Sequence, residues 1–359
     1  MKKKAPAPLL PWLLIGNILL IALIGLLFVS EASVTESLTT FGEPYFLVKR
    51  QAMWLCIGSI GCLAASLFPL SWWQKMAAPS YLGAMVLLAL LFVPGFSEPF
   101  NGARRWLLLG PIVVQPSEFM KLGIVLFFSS WLTKHQRLMP FLFLTALPMS
   151  AVLLQPDLGS MMVMGGVAFG LYYLAGGHLK YLLTVAVLGL ILVSGAILGS
   201  EYRQRRLMTF LNPELDPLGA SFHVRQITLA LGRGGLFGQG IGNSQQRNAF
   251  LPEPSTDSIF AITAEEVGFV GALVIISLYL ALLLQLFRAV KKQEPGSYAY
   301  LVGAGVFIWI GVQTLLNLSA VVALVPLTGV PLPLFSYGGS SLVTILLGLG
   351  IVIQLARKP

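Results

Sequence analysis

The sequence predicts an all-α polytopic membrane protein of about ten transmembrane helices with one long extracytoplasmic loop. Three observations predict it. Hydrophobic residues make up 56% of the 359 residues and charged residues only 10%, against roughly 25% charged in a soluble domain. Apolar runs recur at the length a bilayer demands, about 20 residues for a helix. Lysines and arginines gather at the ends of those runs, so the formal charge of +9 reads as a topology signal and not as an affinity for nucleic acid.

The predicted spans are 9–29, 48–69, 77–94, 112–132, 140–155, 159–176, 180–199, 260–288, 298–325 and 339–356. The first follows Lys2-Lys3-Lys4 and is too long for a cleaved signal, so it reads as an uncleaved anchor. A cytoplasmic N-terminus places twelve basic residues inside: Lys2, Lys3, Lys4, Lys75, Lys134, Arg137, Lys180, Arg288, Lys291, Lys292, Arg357 and Lys358. Short outer loops then hold four, Lys49, Arg50, Arg104 and Arg105. That asymmetry puts both termini in the cytoplasm and the polar loop 200–262 outside. The chain reads as a single membrane domain, 1–359, containing that loop. Cys56 and Cys62 lie on one helix, and the histidines show no metal-ligand spacing, so neither a disulfide nor a metal motif follows.

Five polar stretches fall on the outer half of this topology: Asn101-Gly-Ala-Arg-Arg-Trp106, Gln115-Pro-Ser-Glu118, Gln155-Pro-Asp-Leu-Gly159, the loop ending at Asp257, and Pro331-Leu-Pro-Leu-Phe-Ser-Tyr-Gly-Gly-Ser-Ser341. Glu118 and Lys121 are three apart and share a helix face. They form either a packing ion pair or part of a substrate site. Asp157 reads as an N-cap or turn residue, and Glu265 and Glu266 as acids suited to a helix start. Asp257 has two readings, the N-cap of the next span or a carboxylate placed to take a proton from a hydroxyl. The loop carries Arg203, Arg205, Arg206, Arg225, Arg233 and Arg247, which suit phosphate or an anionic leaflet. Its Gly232-Arg-Gly-Gly235 and Gly238-Gln-Gly-Ile-Gly242 runs lack the context of a nucleotide fold and read as flexible loop. Residues 218–231 suit an interfacial helix. Prolines and glycines between Pro326 and Ser341 predict a broken segment, with Ser336, Gly338, Gly339 and Ser340 offering free N–H groups to an anion or simply capping the last span.

These five stretches, in this order and spacing, resemble the SEDS family (shape, elongation, division and sporulation) across nearly the whole chain. Pro326-Leu-Thr-Gly329, the run Asn212-Pro-Glu-Leu-Asp-Pro-Leu-Gly219 and the short N-terminal tail are similar to its elongation branch. One departure is Ser255-Thr256-Asp257-Ser258 where the family commonly has His-Thr-Asp-Phe. It leaves the aspartate in place but carries over no helper histidine. The resemblance implies a glycosyltransferase of the bacterial cytoplasmic membrane that polymerises lipid II on the outer face, with a class B penicillin-binding protein as partner. It implies Asp257 as general base at the acceptor GlcNAc 4-hydroxyl and inversion at C1 of the donor MurNAc. Glu118, Lys121, Arg104, Arg105, Arg203, Arg206, Arg225, Ser336, Gly338, Gly339 and Ser340 would hold substrate. The arginines, or a divalent cation such as Mg or Mn, would meet the departing pyrophosphate. The rival class is a transporter, such as a lipid II flippase. It is disfavoured because the broken segment and the acid come late, without counterparts in the first half. A pure scaffold leaves the outer acids and arginines unexplained.

Overall fold

The structure, a computed structural model, describes residues 9–97, 103–110, 112–199, 204, 208, 221–246 and 255–357. Every predicted span is a helix: α1 (Leu9–Ala32), α3 (Phe46–Leu67), α4 (Leu70–Leu90), α5 (Pro116–Trp131), α6 (Leu138–Leu154), α7 (Leu158–Leu174), α8 (Leu179–Leu198), α10 (Ile259–Lys291), α11 (Tyr298–Val321) and α12 (Gly339–Arg357). Of these, α1, α3, α10, α11 and α12 are long and apolar enough to cross a membrane. Two short helices, α2 (Val34–Phe41) and α9 (Phe222–Gly234), join them. The expected span 112–132 starts later than its apolar run. Ile112–Val114 is strand β2, paired antiparallel with β1 (Leu107–Leu109). Pro116 then opens α5 at a position where a proline loses no helical hydrogen bond.

Helices α5 and α12 form the centre, and most of their residues are buried. The outer helices turn Leu23, Ile60, Leu63, Leu82, Phe143 and Leu280 outward, as lipid-facing surfaces do. Association inside lipid rests on close packing of small residues. Helix α12 lies so close to α3 that a Cβ on Gly350 would sit 2.3 Å from the Cys62 carbonyl oxygen.

Two interruptions shape the site. Residues 322–338 are non-helical, as the prolines predict. Backbone at membrane depth must be satisfied by protein, and buried side chains satisfy it here. Tyr279 donates to the Pro333 carbonyl (2.6 Å), and Asn317 to that of Val330 (2.8 Å). The Gln51 amide donates to the Ser336 carbonyl (3.1 Å) and accepts from the Gly338 N–H (3.2 Å).

The second interruption was not expected. Helix α10 breaks at Gly268 (φ 71°, ψ −173°), and residues 235–240 are spliced into the break. Gln239 and Gly240 donate to the freed carbonyls of Glu265 and Glu266 (3.0 Å each). Phe269 and Val270 donate to the Gly235 and Leu236 carbonyls (2.9 and 3.1 Å). The glycine-rich run is therefore a packed joint and not the flexible loop its composition suggests. A Cβ at Gly238 would lie 2.1 Å from the Glu266 carbonyl oxygen. Only glycine combines that approach with φ 81°.

Candidate active site

Asp257 sits half-buried at the start of α10 and is not its cap. The N-cap is Ser258, whose hydroxyl makes no capping bond. Asp157 does cap its helix, accepting from the Ser160 N–H at 3.0 Å. Around Asp257 the chain is pinned from several sides. Its carbonyl accepts from Asn317 Nδ2 (3.1 Å), and the Thr256 and Ser258 hydroxyls lie 3.5 Å from Oδ1. The Ser255 carbonyl accepts from the Tyr337 N–H (2.8 Å), and its hydroxyl donates to Glu36 Oε2 (2.8 Å).

One turn of α11 below Asn317, Gln313 links this corner to the buried ion pair. Lys121 Nζ is 2.7 Å from Glu118 Oε1, and both side chains are buried. Lys121 also donates to Gln313 Oε1 (3.0 Å), which accepts from Trp309 Nε1 as well (2.9 Å). Gln313 Nε2 donates to the Pro331 carbonyl (2.9 Å). Among the described residues Glu118 Oε2 has no hydrogen-bond partner.

The remaining stretches join the same end of the bundle. Arg105 donates to the carbonyls of Gln155 (3.1 Å) and Pro156 (2.6 Å), so much of its fork is occupied by backbone. Arg104 beside it is exposed. The Gln115 N–H donates to the Ser340 hydroxyl (3.0 Å). Free N–H groups were expected from Ser336 to Ser341, and the first three of them are taken. Ser336, Tyr337 and Gly338 donate to the Leu332 carbonyl, the Ser255 carbonyl and Gln51 Oε1. Gly339 lies flat on the Trp54 indole, where a Cβ would come within 2.5 Å of Nε1.

Arg225 and Arg233 lie exposed on α9, which forms close to where an interfacial helix was expected. Arg203, Arg205, Arg206, Arg247 and the run 212–219 lie outside the described residues. Glu265 is buried and accepts from the Ser244 hydroxyl and the Gln246 N–H (3.4 Å). It thus holds the loop instead of acting as a surface acid at a helix start. Among the described residues no three His, Cys, Asp or Glu side chains gather as a metal cage. A cavity of about 410 Å³ between Leu10, Leu13, Arg288, Lys291 and Lys292 lies at the opposite end of α10 and shares no residue with this cluster.

The FtsW/RodA/SpoVE family of cell cycle proteins matches residues 11–359. The chain belongs to this family, the SEDS proteins. A relative in Geobacter metallireducens, a probable peptidoglycan glycosyltransferase FtsW, is 34% identical over 93% of this chain and 91% of its own. A chain from a solved peptidoglycan synthase complex that coordinates polymerization and crosslinking superposes with TM-score 0.79 and 30% identity. It covers 96% of this chain and 97% of that one. The rod shape determining protein RodA of Thermus thermophilus superposes at 0.70 with 29% identity, covering 96% of each chain.

Sequence reasoning missed Glu36, Gln51, His223, Gln313 and Asn317. For Gln313 and Asn317 a signal existed: two amides four apart on one face of an apolar span, where unpaired polar groups are costly. Glu36, Gln51 and His223 gave none, because their partners are remote in sequence.

Proposed function

We propose that this SEDS protein is a peptidoglycan glycosyltransferase that polymerises lipid II into β-1,4 glycan during cell elongation. It works as one membrane domain, with its active site and loop 200–262 outside the cytoplasmic membrane and both termini inside. The observation that carries the reading is that all five polar stretches converge on one end of the bundle around an aspartate that does not cap its helix. The relative's name as a probable peptidoglycan glycosyltransferase supports the activity, and Pro326-Leu-Thr-Gly329 supports the elongation branch.

In this reading Asp257 takes the proton from the acceptor GlcNAc 4-hydroxyl as that oxygen attacks C1 of the donor MurNAc. The C1–pyrophosphate bond breaks with inversion. Arg104, Arg225 and the loop arginines Arg203 and Arg206 meet the departing charge, since bidentate guanidinium contacts suit phosphate. Glu118 and Lys121 shape the lipid-linked sugar site through Gln313 and Pro331, and Ser336 to Ser340 form its wall. A class B penicillin-binding protein crosslinks the product. The solved complex that coordinates polymerization and crosslinking supports that partner.

The test is polymerisation of labelled lipid II by the purified protein. Loss of a general base slows reactions by about 10² to 10⁴. Asp257→Asn is expected to fall by that much at an unchanged melting temperature. Near-normal polymer from Asp257→Asn would remove the base assignment. A wild type that moves lipid II across vesicles without joining it would make the chain a transporter.

A further inference from the structure

We propose that His223 is a positioning residue for Asp257, acting through the Ser258 hydroxyl. The proposal rests on Asp257 being the base. His223 is the second residue of α9, and its Nε2 lies 2.6 Å from Ser258 Oγ, 35 residues away. Ser258 is fully buried and stands at the N-cap of α10, yet its hydroxyl does not cap the helix. Its oxygen instead lies between the imidazole and Asp257 Oδ1, which is 3.5 Å away.

Proton counting fixes the direction of this chain. A serine hydroxyl has one proton to donate, and an ionised carboxylate can only accept. The Ser258 proton can serve Asp257 only if His223 supplies the other hydrogen bond from an Nε2–H. In that arrangement imidazole donates to serine and serine donates to carboxylate. The 3.5 Å spacing is long, as catalytic hydrogen bonds often are before substrate arrives. A hydrogen bond to the ionised form steadies it and orients the carboxylate through Oδ1. His223 touches no reacting atom.

The helix that carries His223 cannot drift from the base. Its far end is locked to the same stretch of α10. A Cβ on Gly234 would lie 2.3 Å from the Ala264 carbonyl oxygen, and residues 239 and 240 bond to 265 and 266. Helix α9 thus grips both ends of Ile259–Glu266. Among the described residues, the other charged groups on the elements around this corner are Glu36 of α2, Lys49 and Arg50 of α3, Arg225 and Arg233 of α9, and Glu265 and Glu266 in the first half of α10. They act on wild type and His223 variants alike.

The experiment measures kcat and KM for labelled lipid II with the full chain, across the pH range where carboxylate and imidazole titrate. His223→Ala and Ser258→Ala should each lower kcat about ten- to a hundredfold, the weight of one hydrogen bond to a charged group. KM should stay within about twofold. The double variant should be no slower than the slower single. The acid limb of the rate profile should move to higher pH in both singles, because an unsupported carboxylate protonates more readily. His223→Gln, whose amide places an N–H close to the lost Nε2–H, should recover most of the rate. Full kcat with an unmoved acid limb in His223→Ala overturns the proposal, as does additivity in the double variant. If His223→Ala does not fold, Ser258→Ala alone decides by the same two readings. An active Asp257→Asn would sink the base reading itself. An inactive Asp257→Asn beside a fully active Ser258→Ala sinks only the positioning role.

Discussion

Replacing Gln313 by leucine tests whether the buried ion pair and the broken segment are one unit. Leucine fills nearly the same volume, so the loss is in hydrogen bonds and not in packing. Three bonds disappear: from Lys121 Nζ (3.0 Å), from Trp309 Nε1 (2.9 Å) and to the Pro331 carbonyl (2.9 Å). The first is charge-assisted and carries about 1.5–3 kcal/mol. The neutral two, within a membrane, average about 0.6 kcal/mol each. Glu118 at 2.7 Å still holds the ammonium, which places the first bond near the lower end of its range. The expected cost is about 3 kcal/mol. Denaturant unfolding of the detergent-solubilised protein reads it directly. A cost near 1 kcal/mol, the weight of the neutral bonds alone, would refute the idea that Gln313 holds Lys121. Polymerisation should fall as well, because Pro331 loses its tether. Lost stability at full turnover would make the network architecture only.

Three further outcomes follow from the same geometry. Lys121→Met should cost about 3–5 kcal/mol by stranding the Glu118 carboxylate, while Glu118→Leu with Lys121→Met should recover stability but not polymerisation; recovery of both in the assay would reduce the pair to packing. Gly238→Ala should cost about 3 kcal/mol or more, from a positive φ and the collision with the Glu266 carbonyl, and an unmoved melting temperature would contradict the spliced joint. With Cys56 and Cys62 replaced, Gln245→Cys should react with an impermeant thiol reagent in cells with a permeabilised outer membrane and Glu294→Cys should not; the opposite labelling inverts the proposed topology.

The spans were legible because a bilayer imposes one length on every helix, and ten apolar runs of that length leave little choice. The Glu118–Lys121 pair was legible for a local reason, since residues three apart must meet on a helix. Its anchor was not, because Gln313 lies 192 residues away from Lys121. The cap at Asp157 could be read from pattern, yet the same pattern misled at Ser255-Thr256-Asp257. Three consecutive residues there can cap, and tertiary contacts with Asn317, Tyr337 and His223 select Ser258 for the position. The glycines at 235–242 show the sharpest difference. Composition speaks of freedom in an isolated chain, whereas here Gly238 faces a backbone already in place and only glycine is small enough for it. The break at Gly268 was hidden for the same reason, since a lone glycine in an apolar run ordinarily continues the helix at a modest cost.

That break divides one continuous stretch of sequence between two mechanical partners. Glu265 and Glu266 accept from the 235–240 joint and Phe269 and Val270 donate to it, while the helix as a whole packs on α9, α1, α11 and α12. Native-state hydrogen exchange should therefore see α10 as two foldons meeting at Gly268, with amides on either side opening at different free energies. The turns before Gly268 would open together with α9 and leave the longer half beyond it closed. A force or a bound neighbour acting on α9 would then reach the turns before Gly268 first, while Asn317 and Tyr337 hold the backbone of 255–257 to the bundle.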